Sequence, residues 1–415
     1  MTRLPALIIL LDIHILSKLN MACQLEPEDY APRPVPSLRE FEHLWSLWDT
    51  ATRHMLPEAE ILSKPIKLRN CCLFYLGHIP NFLDTHIARA IDSRPTEPSY
   101  YKQIFERGID PDVDNPENCH AHSEIPETWP PAEEILAYQE RVRDRVRSAY
   151  AKGSAENSRI LGRALWIGFE HEGTYSSSSE PLSKILTFKA MHLETLLYML
   201  VQSDKIRAPP GSTPDFKALA QQAQKDAVPN KWIEIPASKF DVGMDDPEND
   251  LGPDRYFGWD NEKPSRQVEV PAFEAKARPI TNQEYAQYLD RTHRSDIPAS
   301  WASSPEDSQG GLFSNGNGYK EEQSKSVYLN GHSEPLTDAY LKGRSIRTVY
   351  GLVPLEYALD WPVFASFDQL SGCAKWMNGR IPTAEEARSI YTYADSRRAK
   401  EAEEVQVQTI SAVNG

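Results

Sequence analysis

Apolar residues recur every three to four positions through the N-terminal half of the chain, and this period is typical of amphipathic α-helices. The first such stretch follows Ser37, which can cap a helix, and it places Phe41, Leu44, Trp45 and Trp48 on one face. Further helices are predicted over the ranges Ile66–Ala90, Ala132–Tyr150, Ala164–Glu172 and Ala190–Leu200. We interpret these segments as a bundle in which the last two ranges are halves of one interrupted helix.

From Trp232 onward, short strand-like runs separated by turns replace the helical period. The runs WIEIPASKFDVG and RQVEVPAFEAKARPITNQEYAQYL are examples. The predicted fold class is therefore α+β. The predicted segments are a leader over residues 1–36, a helical bundle over 37–203, a linker over 204–231 and a second domain over 232–415.

The composition narrows the classes of protein. The 415 residues carry a formal net charge of −15, with 40% hydrophobic and 25% charged residues, as expected of a soluble protein of about two domains. The acidic balance and the lack of a basic stripe argue against a nucleic-acid partner. The cysteines are odd in number, scattered and without paired spacing, which indicates free thiols and a cytoplasmic location. They are Cys23, Cys71, Cys72, Cys119 and Cys373.

The first residues contain a short apolar run that superficially resembles a secretion signal. Asp12 and His14 interrupt the apolar character around Leu4–Leu11, and no clear cleavage site follows. The run is also far too short to cross a bilayer. We interpret residues 1–36 as a disordered leader or a wrongly assigned start, and we expect no membrane partner.

The interrupted helix carries the first candidate for chemistry. Its first half ends in His171-Glu172 and its second half begins with Met191-His192. Removal of the intervening Gly173–Lys189 joins the halves as FEHEAMHLETLLYML, with the two histidines four residues apart. Imidazoles one helical turn apart suit a transition metal, although most such pairs are surface or chance occurrences.

A third histidine supports the metal interpretation. His78 falls on the same inward stripe as Cys71, Phe74, Tyr75 and Phe82 at helical spacing. A lone histidine on such a face is more often a hydrogen-bonded core residue than a ligand. The long excursion over residues 92–131 also contains a His120/His122 pair that could bind metal. We prefer to interpret this excursion as a lid or an interface loop, because the three helical histidines complete a site.

Four segments together resemble the nonhaem-iron sulfoxide synthases of ergothioneine biosynthesis. They are LFYLGHIPNFLD, RGIDPDVDNPENCHAHSEIP, ALWIGFEHE with AMHLETLLYML, and FGWDNEKPSRQVEVPAF. The likeness is closest to the synthase half of the bifunctional fungal enzyme and covers residues 37–415. It implies a DinB-like four-helix bundle followed by a domain similar to the formylglycine-generating enzyme. By this resemblance, His78, His171 and His192 are the ligands of one Fe(II).

The resemblance also implies an activity, namely the O2-dependent joining of hercynine to cysteine as a sulfoxide. Hercynine, cysteine and O2 are then the substrates, no catalytic side chain is assigned and the oligomeric state is left open. Glu172 and Glu194 are candidates for accepting hydrogen bonds from the imidazole N–H groups, or solvated helix residues. Trp259 is a candidate wall for a trimethylammonium group, or a buried structural residue. Arg141 and Arg145 are candidates for binding a substrate carboxylate, or part of a solvated helix face.

The chain departs from the family pattern in three places. The insertion Gly173–Lys189 has the character of a retained intron, the second domain is expected to be truncated at its C-terminus, and no methyltransferase half precedes the bundle. Two alternatives therefore stay open. One is a catalytically inactive relative that binds a partner or a metal, and the other is a DinB-type metal-dependent thiol transferase or hydrolase.

Overall fold

A computed structural model of the chain describes residues 35–67, 69–106, 110–111, 119–120, 125–153, 158–173, 191–203, 205–246, 257–303 and 336–397. These residues fall into two compact units, and the predicted α+β class is confirmed. The helical unit comprises the described parts of Met1–Ser212 and Lys239–Val268. The α+β unit comprises those of Thr213–Ser238 and Glu269–Gly415. Among these residues no helix combines the length and the apolar character needed to cross a membrane.

The helices are α1 Leu38–Asp49, α2 Cys72–Ala90, α3 Tyr101–Phe105, α4 Ala132–Ala151, α5 Arg159–Glu172, α6 Met191–Leu200, α7 Phe216–Lys225, α8 Asn282–Arg291, α9 Asp338–Leu341 and α10 Phe367–Trp376. A π-helical turn over Thr50–Met55 continues α1. Residues 384–397 are also helical. The predicted insertion lies outside the described residues, apart from Gly173.

The strands are β1 Asp110–Pro111, β2 Cys119–His120, β3 Trp232–Ile235, β4 Ser238–Val242, β5 Arg266–Val270, β6 Phe273–Lys276, β7 Trp301–Ser303, β8 Arg344–Thr348 and β9 Gly351–Pro354. They form only small sheets, with the pairs β1–β2, β3–β6 and β4–β5 and the three-stranded order β7–β8–β9. The first pair lies within the predicted lid or interface loop. His122 is outside the described residues, so the alternative HxH pair is not seen.

Local sequence explains where α1 and α5 begin. The Ser37 hydroxyl accepts the Glu40 N–H at 3.3 Å, and the Glu40 carboxylate accepts the Ser37 N–H at 2.5 Å, so the predicted cap is confirmed as a full capping box. The α5 helix begins at Arg159, earlier than the predicted Ala164. Its first turn is capped by the Ser158 hydroxyl, which accepts the Leu161 N–H at 3.3 Å.

The helix that carries His78 begins at Cys72, so the predicted start at Ile66 is wrong. The described residues between 61 and 71 form turns and bends, and some of them supply carbonyl groups to the first turn of α2. The Leu73 N–H donates to the Ile61 carbonyl at 2.8 Å, and the Cys72 N–H donates to the Ser63 carbonyl at 3.3 Å. These bonds satisfy N–H groups that the first turn of a helix leaves without an internal partner.

The core of the helical unit lies between α1, α2, α4, α5 and α6. Phe41 and Trp48 on the predicted face of α1 are completely buried. Burial of such a side chain contributes about 2 kcal/mol or more to stability. In the α+β unit, Tyr285 and Leu289 of α8 pack with Trp301, Leu355 and Cys373 in a second core. Cys71, Cys72 and Cys373 are free, as the cysteine spacing predicts.

Candidate metal centre

Three histidines from three helices converge inside the helical unit. The Nε2 atom of His192 lies 3.3 Å from Nε2 of His78 and 3.1 Å from Nε2 of His171. One ligand atom from each residue fits within 4.8 Å of the others. The structure thus brings together the three residues that the sequence indicates as metal ligands, although the insertion separates two of them along the chain.

His78 is oriented by a backbone group from another helix. Its Nδ1 lies 2.7 Å from the Phe105 carbonyl oxygen at the end of α3. A carbonyl can only accept a hydrogen bond, so Nδ1 carries the proton and the lone pair of Nε2 is available to a metal ion. Burial lowers the pKa of His78 to about 4, and the hydrogen bond to Phe105 acts in the opposite direction. His78 is therefore neutral at physiological pH.

His171 and His192 meet where α5 ends and α6 begins. A Cβ added at Gly173 would lie 3.0 Å from the Leu193 Cβ, which shows how closely the two half-helices approach. Burial and the neighbouring histidines lower the pKa of both His171 and His192 well below its ordinary value. Both rings are thus neutral, and each can offer a nitrogen lone pair to a metal ion.

The donor set fits a transition metal. Nitrogen ligands at about 2.1 Å from a metal lie about 3.0–3.4 Å from one another in octahedral or tetrahedral geometry. The two Nε2–Nε2 distances fall within this range. In addition, the buried Nδ1 atoms of His171 and His192 have no hydrogen-bond partner among the described residues. A metal ion bound by the three Nε2 atoms would give these closely spaced lone pairs a common positive partner.

Aromatic rings enclose the three imidazoles. The Phe82 ring is nearly parallel to His171, at 9°, with a centroid separation of 3.7 Å. Phe74 stacks on His78 at 5.0 Å, and Tyr75 lies 5.6 Å from His192. This wall removes water from one side of the cluster and strengthens electrostatic interactions within it.

Trp259 lies near Phe82, at a centroid distance of 6.3 Å and an interplanar angle of 25°. Its indole also lies 6.2 Å from Trp166 of α5. The predicted wall residue therefore belongs to the aromatic cluster next to the histidines. Its predicted contact with a trimethylammonium group stays a prediction.

Glu172 and Glu194, the candidate partners of the imidazole N–H groups, form no hydrogen bond with the three histidines among the described residues. Glu172 is buried on the side of α5 that faces Trp45 and Arg143. Consecutive helix residues point about 100° apart, so Glu172 cannot share the direction of His171. Burial raises the pKa of Glu172 to about 7, against the attraction of Arg143. Burial also raises the pKa of the partly buried Glu194 to about 7.

The predicted arginines are engaged within the helical unit. Arg145 forms a 2.7 Å ion pair with Asp84, whose side chain is 1% exposed, and it also donates to the Ser93 hydroxyl. Arg141 donates to the Glu97 carbonyl at 2.9 Å. The structure assigns both side chains a structural contact, and their binding of a substrate carboxylate stays a prediction.

Sequence reasoning missed two contributions to the site. The Phe105 carbonyl is a backbone group, so no residue type in the sequence could identify it. Phe82 lies four residues after His78 in α2, on the same predicted inward face, so its proximity to the histidines could be expected from the sequence. Helical spacing therefore contained the signal for Phe82, but it did not show which histidine the ring would contact.

Comparisons with known proteins agree with this architecture. The DinB superfamily matches residues 40–196, and the sulfatase-modifying factor enzyme 1-like domain matches residues 216–401. The chain is 50% identical over 405 residues to ergothioneine biosynthesis protein 1 of Neurospora crassa, covering 97% of this chain and 44% of that protein. It is 29% identical over 379 residues to the Schizosaccharomyces pombe protein of the same name, covering 86% of this chain and 42% of that protein. The chain thus spans less than half the length of these relatives.

Proposed function

Because this chain is a homologue of ergothioneine biosynthesis protein 1, with a DinB superfamily domain followed by a sulfatase-modifying factor enzyme 1-like domain, we propose that it is an iron-dependent sulfoxide synthase. The reaction joins hercynine to cysteine. A carbon–hydrogen bond of the hercynine imidazole and the cysteine S–H bond are replaced by a carbon–sulfur bond, and the sulfur is oxidised to a sulfoxide. One O2 accepts the four electrons and provides the sulfoxide oxygen and one water.

The observation that carries the proposal is the convergence of three neutral imidazole Nε2 atoms, two pairs of which lie 3.1 and 3.3 Å apart. His78, His171 and His192 would hold Fe(II) through these atoms. When bound, the iron supplies redox chemistry with O2 and acidifies a coordinated thiol. Three protein ligands leave open positions for substrates, as in other nonhaem iron oxygenases.

The chain's own residues contribute orientation and a dry environment. The Phe105 carbonyl fixes the proton of His78 on Nδ1, so that Nε2 is available without a tautomer change. Phe74 and Phe82 cover imidazole faces and exclude water from them. Trp259 offers an aromatic face that suits the quaternary ammonium group of hercynine.

The first experiment measures iron in the purified chain after anaerobic loading with Fe(II). We expect about one iron per chain in the wild type and almost none in His192→Ala. The exposed His54 provides a matched control, and His54→Ala should retain the iron of the wild type. Equal iron contents in wild type and His192→Ala would refute the proposed site.

The second experiment tests turnover by the iron-loaded chain. Hercynine, cysteine and O2 are supplied, and the sulfoxide product is detected by mass spectrometry with ¹⁸O2 as the oxygen source. We expect one labelled oxygen in the sulfoxide and none of this product in His192→Ala. Stoichiometric iron without product would instead favour the inactive relative. A thiol adduct formed equally well without O2 would favour the DinB-type transferase.

A further inference from the structure

A buried carboxylate lies at the centre of a cluster beside α5, away from the three histidines. The Asp246 side chain is completely buried and pairs with two arginines of α5. Arg159 Nη2 lies 2.6 Å from Asp246 Oδ1, and Arg163 Nε lies 3.0 Å from Oδ2. The Gly258 N–H also donates to Oδ2 at 3.1 Å. Asp246 therefore joins α5 to a distant segment of the helical unit.

The arginines complete this connection. Arg163 Nη2 donates to the Gly258 carbonyl at 3.1 Å while its Nε binds Asp246, so one guanidinium holds both groups. Arg159 lies 5.1 Å from the centroid of the Phe257 ring. The Gly258 N–H is thus tied to α5 through Asp246, and the Gly258 carbonyl is tied to it directly by Arg163. The residues on either side of Gly258 consequently have a defined position on the helix that carries His171.

Trp259, the residue after Gly258, connects this cluster to the metal centre through ring contacts. Its ring lies 6.3 Å from Phe82, and Phe82 in turn stacks on His171 at 3.7 Å. Trp166, also on α5, packs against both Phe257 and Trp259 at 5.7 and 6.2 Å. The contacts therefore form a continuous path from Asp246 to the imidazole of His171.

His171 has a particular need for such support. Its Nδ1 is buried and has no hydrogen-bond partner among the described residues, whereas the Nδ1 of His78 is held by a carbonyl. A ligand histidine is normally oriented by a hydrogen bond to its second nitrogen. For His171, the parallel contact with Phe82 takes this place, and Phe82 is backed by Trp259.

We propose that Asp246 is a positioning residue for the metal centre, which holds Trp259 on Phe82 and thereby fixes the ring of His171. This inference rests on the proposed metal site. Burial raises the pKa of Asp246, but hydrogen bonds from Arg159, the Gly258 N–H and Arg163 outweigh it, so that the pKa lies below its ordinary value. The carboxylate is therefore charged at physiological pH, as its two ion pairs require.

The test uses Co(II), whose visible absorption reports ligand geometry, in titrations of the full-length metal-free chain. We expect Asp246→Asn to weaken Co(II) binding about tenfold and to alter the absorption bands, as removal of a supporting residue does at other metal sites. Asp245→Asn is the matched control. Asp245 is the exposed neighbour, and it accepts the Ser265 N–H at 3.1 Å. Asp245→Asn should bind Co(II) as the wild type does.

A double-mutant cycle separates positioning from general destabilisation. If Asp246 acts through Trp259, Trp259→Leu alone should weaken Co(II) binding, and adding Asp246→Asn to it should cause little further loss. Additive losses, or wild-type affinity and spectrum in Asp246→Asn despite a lower melting temperature, would overturn the inference. The latter result would make Asp246 a purely structural residue.

Two further outcomes remain decisive. Should Asp246→Asn fail to fold, Arg163→Lys carries the same test, because an ammonium group cannot hold Asp246 and the Gly258 carbonyl with one planar fork. Wild-type affinity and spectrum in Arg163→Lys would overturn the inference. A wild-type chain that binds no Co(II) would refute the proposed metal site itself, together with this inference. Normal binding by the wild type with unchanged Asp246→Asn refutes only the inference.

Discussion

The carbonyl oxygen of Phe105 accepts a hydrogen bond from Nδ1 of His78 across 2.7 Å, although the two residues are 27 positions apart in the chain. The ring of Phe105 packs against Gly77, the residue before His78. A Cβ added at Gly77 would lie 2.4 Å from Phe105 Cζ. The absence of a side chain at Gly77 therefore allows α3 to approach α2 closely enough for its carbonyl to orient a ligand.

Gly77→Ala should therefore weaken metal binding without changing any ligand. The added methyl group would displace the Phe105 ring and lengthen its hydrogen bond to His78, and we expect about a tenfold loss of Co(II) affinity. Alanine ordinarily stabilises a helix by about 1 kcal/mol relative to glycine, so a lower stability would itself report the clash. The measurement is a Co(II) titration together with thermal unfolding.

Gly168→Ala is the matched control for this variant. Its added Cβ would lie 2.3 Å from Leu83 Cδ1, the end of a flexible side chain, and it does not meet Phe105. We expect a loss of stability from crowding between α5 and α2, with a smaller effect on Co(II) affinity. Wild-type affinity in Gly77→Ala, or an equal loss in both variants, would contradict the role assigned to the Phe105 carbonyl.

The degree to which the sequence predicts this site depends on the kind of contact. Helical spacing indicated His78 and Phe82 as inward residues, and removal of the insertion placed His171 and His192 four residues apart. Glu172 was predicted either to approach the imidazole N–H groups or to be solvated, whereas the structure buries it beside Arg143 and Trp45. Local periodicity gives a side chain's face, but it does not identify the partner that tertiary packing brings there.

Helix boundaries show the same limit. The cap at Ser37 was predictable because a capping box is encoded within four residues. The start of α2 at Cys72 was not predictable, because its first N–H groups donate to the backbone carbonyls of Ile61 and Ser63 in the preceding turns. The Phe105 carbonyl and the contacts of Asp246 belong to this second class. Their chemistry comes from backbone groups and long-range pairing, which residue types alone do not specify.

Arg145 is expected to contribute mainly to the stability of the helical unit. Arg145→Met would leave Asp84, which is 1% exposed, without its 2.7 Å ion-pair partner. Removing one partner of a buried ion pair costs about 3 kcal/mol or more. We therefore expect a marked drop in the urea midpoint of this unit. Arg141→Met removes an exposed hydrogen bond to the Glu97 carbonyl and should lower the free energy of unfolding by no more than about 1 kcal/mol.

The same pair of variants tests the predicted binding of a substrate carboxylate. If Arg145 is structural, the KM for cysteine should be unchanged in the folded fraction of Arg145→Met. A large increase in this KM at wild-type stability would assign the residue to the substrate instead. The same comparison applies to Arg141→Met, for which the loss of unfolding free energy is expected to be small.

Acid should destabilise the helical unit partly through His86. Burial, together with the positive charges of Arg89 and Arg163, lowers the pKa of His86 to about 4, while Asp260 acts in the opposite direction. The unfolded chain, with a pKa near the ordinary value of 6.5, then binds a proton more readily than the folded chain. The neutral ring therefore makes its full contribution to the free energy of unfolding above about pH 6.5, and this contribution is lost as the pH falls towards 4.

His86→Gln should therefore reduce the loss of stability between about pH 6.5 and pH 4. The free energy of unfolding is measured by urea denaturation at several pH values in this window. A slope remains in the variant because the pKa of His78 is also lowered to about 4. The exposed His54→Gln should keep the wild-type slope. An unchanged slope in His86→Gln would show that His86 is not held neutral in the folded chain.

Asn282 is expected to be a sensitive polar position in the described part of the α+β unit. It is 2% exposed, its Nδ2 donates to the Ala358 carbonyl at 2.9 Å, and its Oδ1 accepts from Trp301 Nε1 at 3.1 Å. Asn282→Ala leaves a buried donor and a buried acceptor without these bonds, at a cost of about 3 kcal/mol. Gln283→Ala, at the exposed next position, should cost less than about 0.5 kcal/mol.

Hydrogen exchange of the α8 amides provides a local readout. Faster exchange is expected in Asn282→Ala only, and equal protection in both variants would mean that α8 is held by its apolar contacts alone.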